Sequence, residues 1–337
     1  MTAMPDAAAP LMIVDALSKS FVRRGSFVDR IKQGGSKTVR ALHDVSLVVR
    51  RGETLGIVGE SGCGKSTLAR CLVRLHRPDG GRIVYAGQDV LALAGAERRT
   101  YNRRVQMVFQ DPYGSLNPRM SVRQMLAEAI LFHRLRKGAA VNQRIAELLE
   151  LVRLPTDAAD RYPHEFSGGQ RQRIGIARAL AVEPECLIAD ELVSSLDVSV
   201  QAQIINLLLE LQERLHLTVL FIAHDLRLVR HISHRVAVMY LGSIVELADT
   251  GRLFTKPAHP YTAALLKAAP ELDPARRSVV EAVRGELPSP LNVPSGCPFH
   301  PRCPYVFERC RIELPLLTPR SETQLAACPL ETPPRAT

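Results

Sequence analysis

The 337-residue sequence predicts an α/β fold in which a large domain, built on a sheet with helices, is followed by a smaller C-terminal region. Three observations predict it. Short apolar segments typical of strands alternate with segments whose apolar residues recur at helical spacing. A glycine-rich loop joins one of these strands to a helix. Beyond about residue 255 the chain is rich in proline, and four cysteines lie in its last 41 residues.

The first part of the chain predicts three strands and a helix. Leu11–Ala16 and Ala41–Val49 alternate between apolar and polar residues, as half-buried strands do, and Thr54–Val58 is almost continuously apolar. The intervening segment Arg23–Lys37 is basic and rich in glycine, which predicts a hairpin excursion. A helix is predicted to start at Ser66 and to end before the proline and glycines that follow it.

The middle of the chain predicts helices and then a unit of strand, helix and strand. Residues 121–152 carry apolar side chains at helical spacing, and another helix is predicted to begin near Ser167. Cys186–Ala189 and Thr218–Ala223 are apolar enough for buried strands, and a segment with one apolar helical face lies between them. This order predicts parallel strands in one sheet. A further strand is predicted at Arg235–Tyr240.

Composition and charge narrow the class of protein. Apolar residues make up 46% of the chain, but no uninterrupted apolar stretch reaches the ~18 residues of a membrane span. The N-terminal residues lack the basic start and apolar core of a signal peptide, so we expect a cytoplasmic protein. The net charge of +10 comes from scattered basic residues. We interpret it as a solvated basic surface and expect no nucleic-acid partner.

A glycine-rich loop predicts a binding site for nucleotide phosphates. It matches the pattern G-x-x-x-x-G-K-[ST] in the required setting, with a strand before it and a helix after it. Its glycines let backbone N–H groups turn toward phosphates, its lysine supplies positive charge, and its serine hydroxyl is a ligand for Mg²⁺. We interpret its cysteine as a packing residue and not as a nucleophile. The loop residues are Gly59, Glu60, Ser61, Gly62, Cys63, Gly64, Lys65, Ser66 and Thr67.

An acidic pair and a second glycine-rich helix start add to this site. Asp190 and Glu191 follow an apolar strand, where we expect Asp190 to reach Mg²⁺ and Glu191 to polarise an attacking water as general base. The segment Ser167-Gly168-Gly169-Gln170 starts a helix, with Ser167 as its N-cap. The N-terminus of that helix is a second anion site. Two phosphate-binding helix ends in one chain predict a dimer in which two chains pair head to tail.

These motifs resemble the nucleotide-binding subunits of ABC transporters, in which Ser-Gly-Gly-Gln is the signature. The resemblance implies a P-loop ATPase fold with a mixed sheet and a helical subdomain, and it implies ATP and Mg²⁺ as cofactors. It implies that Gln110 is the Q-loop glutamine, which senses Mg²⁺, and that His224 contacts the γ-phosphate. It places Asp197 in the D-loop at the dimer interface. Phe21 resembles the aromatic residue that stacks on adenine, and plain packing is the alternative interpretation.

The segments around the motifs resemble one branch of this family, the oligopeptide/dipeptide and nickel importers. Matching segments include Asp111–Met120, Tyr162–Ser167 and His259–Leu266, and the resemblance covers nearly the whole chain. The chain departs from the family at Leu192, where a proline is usual, and at Ser195, where an alanine is usual. The domains implied are an ABC ATPase domain at 11–255, a helical subdomain at about 111–178 within it, and a C-terminal region at 256–337.

The resemblance also implies partners and a location. A second ATPase subunit completes the head-to-tail dimer, and in this branch two different ATPase subunits usually pair. Two membrane permease subunits and an extracytoplasmic solute-binding protein complete the importer. The chain is therefore expected as a peripheral subunit at the cytoplasmic face of the inner membrane. We expect Leu192 to loosen the turn that aims Glu191, which affects the rate and not the reaction.

Four cysteines near the C-terminus, Cys297, Cys303, Cys310 and Cys328, predict a metal site. Four clustered thiolates suit a [4Fe–4S] cluster or a Zn²⁺ ion. The wide, uneven spacing favours the cluster, and members of this branch with the same tail are expected to bind it. Disulfides, disfavoured in a reducing compartment, and four free thiols are the alternatives. Because the ATP site lies in the other domain, we expect nucleotide binding to survive loss of the metal.

The functional hypothesis is therefore an enzyme that hydrolyses ATP to drive import of oligopeptides or dipeptides. Import of nickel or another solute is one alternative. A second is a soluble ABC ATPase that acts on nucleic acid or ribosomes, which only the basic charge supports. A third is a subunit that binds ATP without turnover, and the intact Lys65, Glu191 and His224 argue against it.

Overall fold

The computed structural model describes residues 9–23, 37–194, 196–268, 286 and 288–330. The chain forms two compact units. The first unit comprises Met1–Pro10, Val49–Thr54 and Ala92–Ala223, and the second comprises Leu11–Val48, Leu55–Leu91 and His224–Thr337. Ser195 and most of the predicted hairpin excursion Arg23–Lys37 lie outside the described residues.

Strands occur throughout the described chain. They are β1 (Pro10–Arg23), β2 (Lys37–Arg50), β3 (Thr54–Val58), β4 (Gly80–Tyr85), β5 (Gln88–Asp89), β6 (Val105–Val108), β7 (Cys186–Asp190), β8 (Thr218–Ile222), β9 (Arg235–Tyr240), β10 (Ser243–Asp249), β11 (Thr318–Ser321) and β12 (Gln324–Ala326).

The helices range from single turns to an 18-residue helix. They are α1 (Lys65–Leu72), α2 (Gly95–Arg104), α3 (Pro112–Ser115), α4 (Val122–Phe132), α5 (Ala139–Leu151), α6 (Gly168–Leu180), α7 (Val198–Leu215), α8 (Leu226–Ile232), α9 (Thr250–Thr255), α10 (Pro260–Ala268) and α11 (Glu308–Ile312). Short 3-10 turns occur at Thr156–Asp160, Pro163–Glu165 and His300–Arg302. Within the described ranges, none of these helices has the length and apolar character needed to cross a membrane.

The first unit contains a parallel sheet covered by helices. β7 lies between β6 and β8, parallel to both. Every residue of β7 and β8 is buried, which explains why these strands are almost continuously apolar in sequence. The predicted helical segment 121–152 is two helices, α4 and α5, and the chain turns at Gly138, where φ is 55°. Apolar spacing continues through this break, so periodicity alone does not reveal it.

The second unit combines parallel and antiparallel pairing, so the predicted mixed sheet is confirmed. β3 runs parallel to β9, and β9 forms an antiparallel hairpin with β10. Leu241 and Gly242 connect them with φ values of 42° and 85°, as a two-residue hairpin turn requires. β12 then pairs with β10 and β11 with β12, so strands from the proline-rich C-terminal region extend this sheet. A separate sheet has the order β2-β1-β4-β5.

Candidate functional site

The glycine-rich loop lies in the second unit and ends at the N-terminus of α1. Gly64, directly before α1, has a φ of 107°, and a Cβ atom there would lie 2.4 Å from the carbonyl oxygen of Ala41. At Gly59, where φ is 153°, a Cβ atom would lie 2.2 Å from the carbonyl oxygen of Met239. Neighbouring backbone therefore leaves no room for a side chain at either position, which explains the two glycines.

Lys65 points its ammonium group into this loop. Its Nζ atom donates hydrogen bonds to the carbonyl oxygens of Gly59 at 2.8 Å and Glu60 at 3.1 Å, and the residue is 4% exposed. A positive charge held by neutral carbonyl groups remains available to attract an anion. The buried Sγ of Cys63 lies 3.8 Å from Nζ. Burial raises the pKa of the Cys63 thiol, so this residue packs as a neutral group.

The remaining loop residues differ in their exposure. Ser61 and Gly62 are exposed at the tip of the loop, and Ser66 and Thr67 are partly exposed in the first turn of α1. At this position the N–H groups of the first helical turn are donors suited to phosphates, and a serine hydroxyl is an oxygen ligand suited to Mg²⁺. The loop thus has the backbone path and the charge that anion binding requires.

Glu60 has polar partners that the sequence did not predict. Its N–H donates to the Tyr261 hydroxyl at 2.9 Å. Its carboxylate accepts two hydrogen bonds from Arg302, at 2.7 and 2.9 Å. Tyr261 belongs to a segment that resembles the importer branch, so a signal for it existed. Nothing in the sequence pattern singles out Arg302.

In the first unit, Asp190, Glu191 and Gln110 form the candidate catalytic group. Asp190 ends β7 and is 2% exposed. Glu191 follows with a φ of 46°, and its N–H donates to the carbonyl oxygen of Ile222 at 2.9 Å. Gln110, which follows β6, donates from Nε2 to the Glu191 carboxylate at 2.7 Å. The structure therefore brings together the predicted general base and the predicted Q-loop glutamine.

The turn after Glu191 is formed without the proline that is usual in the family. Leu192 is 2% exposed, which anchors the turn. Ser194 donates to the Glu191 carbonyl oxygen from its N–H at 3.2 Å and from its hydroxyl at 3.1 Å. These contacts close the turn, and the expected loosening by Leu192 stays a prediction. The left-handed backbone at Glu191 is a strained conformation of the kind that clusters at functional sites.

The signature segment starts α6 as predicted. The Ser167 hydroxyl accepts from the N–H of Gln170 at 3.4 Å, and the Gln170 side chain accepts from the N–H of Ser167 at 3.0 Å, which forms a capping box. The two glycines face side chains of the same unit. A Cβ atom on Gly168 would lie 3.2 Å from Leu196, and one on Gly169 would lie 2.5 Å from Val200. Glycine thus lets α6 pack closely against the segment that begins α7.

Three of the predicted site residues lie at or near the ends of strands and helices. Asp197 is exposed and directly precedes α7. His224 is exposed and follows β8 in the chain, next to Asp225, whose side chain caps α8. Phe21 is 37% exposed, and its ring meets the His76 ring edge-on with centroids 5.3 Å apart. The partial exposure of Phe21 is compatible with both interpretations of it, stacking and packing.

The four C-terminal cysteines line one cavity in the second unit. His259 and Phe299 also line this cavity. All seven cysteines of the chain are unpaired thiols. Burial raises the pKa of Cys297 to about 12 and that of Cys303 to about 11. Among the described residues, however, no group of three or more His, Cys, Asp or Glu side chains is arranged to hold a metal ion. The predicted iron–sulfur or zinc site gains no support from that arrangement.

Comparison with known proteins gives a consistent result. The family model described as ABC transporter matches residues 42–194, and the model described as oligopeptide/dipeptide transporter, C-terminal region, matches residues 245–310. A probable peptide ABC transporter ATP-binding protein of Sinorhizobium fredii is 51% identical over 327 residues, which are 97% of this chain and 91% of that protein. The oligopeptide transport ATP-binding protein AppF of Bacillus subtilis is 51% identical over 296 residues, which are 87% of this chain and 90% of that protein.

A solved structure extends the comparison to the fold. The ATP-binding cassette MJ0796, described as a dimer in a post-hydrolysis state bound to ADP and Pi, has a TM-score of 0.61 and 27% identity. The match covers 71% of this chain and 98% of that one.

Proposed function

The chain belongs to the ABC transporter ATP-binding proteins and is an ATPase, and we propose that its ATP hydrolysis drives the import of oligopeptides or dipeptides. The observation that carries the substrate class is the match of residues 245–310 to the C-terminal region of oligopeptide/dipeptide transporters. The names of the S. fredii and B. subtilis relatives agree with it.

We propose a role in ATP hydrolysis for each of the site residues. The loop Gly59–Thr67 binds the phosphates, with Lys65 as its positive charge. Glu191 accepts a proton from the water whose oxygen attacks the γ-phosphorus, and ADP leaves. Gln110 orients the Glu191 carboxylate, which the 2.7 Å hydrogen bond between them supports. His224 contacts the γ-phosphate, and Phe21 stacks on adenine.

Mg²⁺ is the proposed metal of this reaction. A hydroxyl from Ser66, an amide oxygen from Gln110 and a carboxylate from Asp190 are oxygen ligands of the hard type that Mg²⁺ prefers. The burial of Asp190, at 2% exposure, supports a role for its carboxylate beyond solvation. When bound, the ion neutralises phosphate charge that develops as ADP leaves.

The proposed assembly is a head-to-tail dimer with a second, different ATPase subunit. In it Ser167, Gly168, Gly169 and Gln170 of each chain close on the nucleotide of the other, and Asp197 lies at the interface. The exposure of Ser167 at the N-cap of α6 supports this, because the first-turn N–H groups of a helix have no intrahelical partner and can bind an anion. Two permease subunits and an extracytoplasmic solute-binding protein complete the importer. The chain is a peripheral subunit at the cytoplasmic face of the inner membrane.

Uptake measurements test the substrate class. In cells that lack this chain, expression of the wild type should restore uptake of a labelled oligopeptide, and Glu191→Gln should not. Glu213→Gln, which changes an exposed glutamate of α7, is the matched control and should restore uptake. Restored uptake of nickel with no effect on peptides would favour the nickel alternative instead.

We further propose that the four cysteines hold a [4Fe–4S] cluster, with Zn²⁺ as the alternative. Their convergence on one cavity supports a shared ligand. A single zinc ion would bring four sulfurs to within about 4 Å of one another, whereas a cluster binds each cysteine at a separate iron. The wide, uneven spacing of the four cysteines favours the cluster over zinc.

His259 supports the same proposal. Its Nδ1 atom accepts the Tyr261 N–H at 3.0 Å, so the neutral ring carries its proton on Nε2. Burial lowers the pKa of His259 to about 3, which keeps the ring neutral. Nε2 is buried and has no hydrogen-bond partner within the described residues, although the ring lines the cysteine cavity. A sulfur ligand in the cavity would satisfy this donor.

Metal analysis tests the proposal. Protein purified without oxygen should contain about four irons per chain and absorb broadly near roughly 400 nm, as thiolate-bound clusters do. Cys310→Ser should lose the iron, whereas Cys71→Ala, at a cysteine of α1 outside the cavity, should retain it. One equivalent of zinc without iron would favour the alternative. Four titratable thiols without metal would exclude both.

A further inference from the structure

The cysteine-rich region, residues 297–328, contacts the glycine-rich loop through the side chain of Arg302. Arg302 ends the short turn His300–Arg302, and its two terminal nitrogens donate to the two carboxylate oxygens of Glu60 at 2.7 and 2.9 Å. The Arg302 side chain is 5% exposed and the Glu60 side chain 26% exposed. A two-pronged, largely buried ion pair fixes orientation far better than an exposed pair does.

Glu60 also contacts the group that we propose to bind phosphates. Its carbonyl oxygen accepts the Lys65 Nζ at 3.1 Å. Its N–H is directed to the Tyr261 hydroxyl at 2.9 Å and so does not point into the loop. The Glu60 side chain places a negative charge at the edge of the loop that we propose to bind phosphates. Left unpaired, such a charge would repel phosphates and compete with them for Lys65.

Packing around the cysteine cavity positions Arg302. The N–H of Arg302 donates to the carbonyl oxygen of Phe299 at 3.0 Å. The Phe299 ring lies in the cavity wall and contacts the rings of Tyr240 and Tyr261, each with centroids 5.4 Å apart. The Arg302 guanidinium lies 6.0 Å from the centre of the Tyr240 ring. The turn that carries Arg302 is thus bonded to Phe299, whose ring also lines the cysteine cavity.

We propose that Arg302 is a positioning residue for the phosphate-binding loop, and that through it the cysteine-rich region raises the affinity of the loop for ATP. Arg302 neutralises the Glu60 carboxylate and holds it away from Lys65, so that the ammonium remains available to phosphates. This inference rests on the proposed binding of ATP at Gly59–Thr67. It qualifies the expectation that nucleotide binding survives loss of the metal, because the cysteine-rich region would then affect the affinity for ATP.

A series of substitutions that remove or keep charge at the two positions tests the proposal in the full chain, by equilibrium binding of Mg²⁺·ATP. Arg302→Gln should weaken ATP binding by about tenfold, because it leaves Glu60 charged and unpaired. Glu60→Gln added to that variant should restore the dissociation constant to within about threefold of the wild type, since the repelling charge is gone. Arg302→Lys, which keeps the charge and loses the fork, should weaken binding by about threefold.

The control is Arg309→Gln. Arg309 lies in the same region and pairs with Glu313 at 2.6 Å, but both side chains are mostly exposed. This variant should bind ATP as the wild type does. In the assembled ATPase, Arg302→Gln should raise KM for ATP while kcat changes by less than about twofold, because Arg302 acts on binding and not on Glu191.

Two results would overturn the proposal: a folded Arg302→Gln variant that binds ATP like the wild type, or a failure of Glu60→Gln to restore its binding. If Arg302→Gln does not fold, Glu60→Gln is added to Arg302→Lys instead, and it should restore the affinity for ATP there. Wild-type affinity in Arg302→Lys alone would also contradict the proposal. Lys65→Ala separates this inference from the proposed function. If the wild type binds no ATP, or if Lys65→Ala binds ATP as well as the wild type does, the proposed phosphate site itself is contradicted.

Discussion

At the scale of residues, two sets of hydrogen bonds underlie the proposed chemistry. Glu191 is placed by its backbone, through the hydrogen bond from its N–H to Ile222 and the turn closed by Ser194. Its carboxylate is then oriented by Gln110. Lys65 is placed by the start of α1 and by two carbonyl oxygens of the loop. In the proposed mechanism binding and proton transfer therefore depend on different side chains, and substitutions should separate them.

Glu191→Gln should bind ATP as tightly as the wild type and lose turnover by about a hundredfold or more, because only the base is removed. Lys65→Ala should instead weaken ATP binding by about tenfold or more, because the phosphate charge loses its partner. Glu213→Gln is again the control. The measurements are ATP binding to the purified chain and ATPase activity with the partner subunits. Near wild-type activity in Glu191→Gln would refute its assignment as the base.

At the scale of elements, the close packing of α6 against α7 depends on glycine. The Cβ position of Gly169 lies 2.5 Å from Val200, whereas that of Gly175, further along the same helix, lies 3.7 Å from Val108. The first distance is a collision and the second an ordinary contact. Gly169 and Gly175 should therefore respond differently to the same substitution.

Gly169→Ala should lower the free energy of unfolding by about 1–3 kcal/mol, because the added methyl group forces α6 away from Val200. Gly175→Ala should raise it by up to about 1 kcal/mol, because alanine favours the helix and meets no obstacle. Urea denaturation of the two variants measures both changes. Val200→Ala should recover part of the loss in Gly169→Ala. Equal stability of the two glycine variants would show that the packing at Gly169 is loose.

The features that could be predicted from the sequence are those that a few neighbouring residues determine. The loop Gly59–Thr67, the strand ending in Asp190 and the N-cap at Ser167 are each encoded within a few neighbouring residues. Contacts between distant segments could not be predicted. Arg302 and Glu60 are 242 positions apart, and no periodic pattern relates them. β11, which contains Pro319, was likewise not predicted, because its pairing with β12 and that of β12 with β10 are tertiary contacts.

At the scale of the whole molecule, the proposed site is shared between chains. Each chain has one glycine-rich loop with its lysine and one signature helix, whose N-cap Ser167 is exposed. If the two act on the same ATP only in a dimer, a lone chain lacks half of the site. Turnover per chain must then depend on how often chains meet.

The most direct test is ATP turnover per chain, measured at saturating Mg²⁺·ATP while the chain concentration is lowered from micromolar to nanomolar, alone and with an equimolar second ATPase subunit. The shared-site account predicts that turnover per chain falls steadily on dilution. It also predicts that the partner subunit raises turnover at a fixed low concentration. A turnover per chain that stays constant over the whole range, and is unchanged by the partner, would contradict the account.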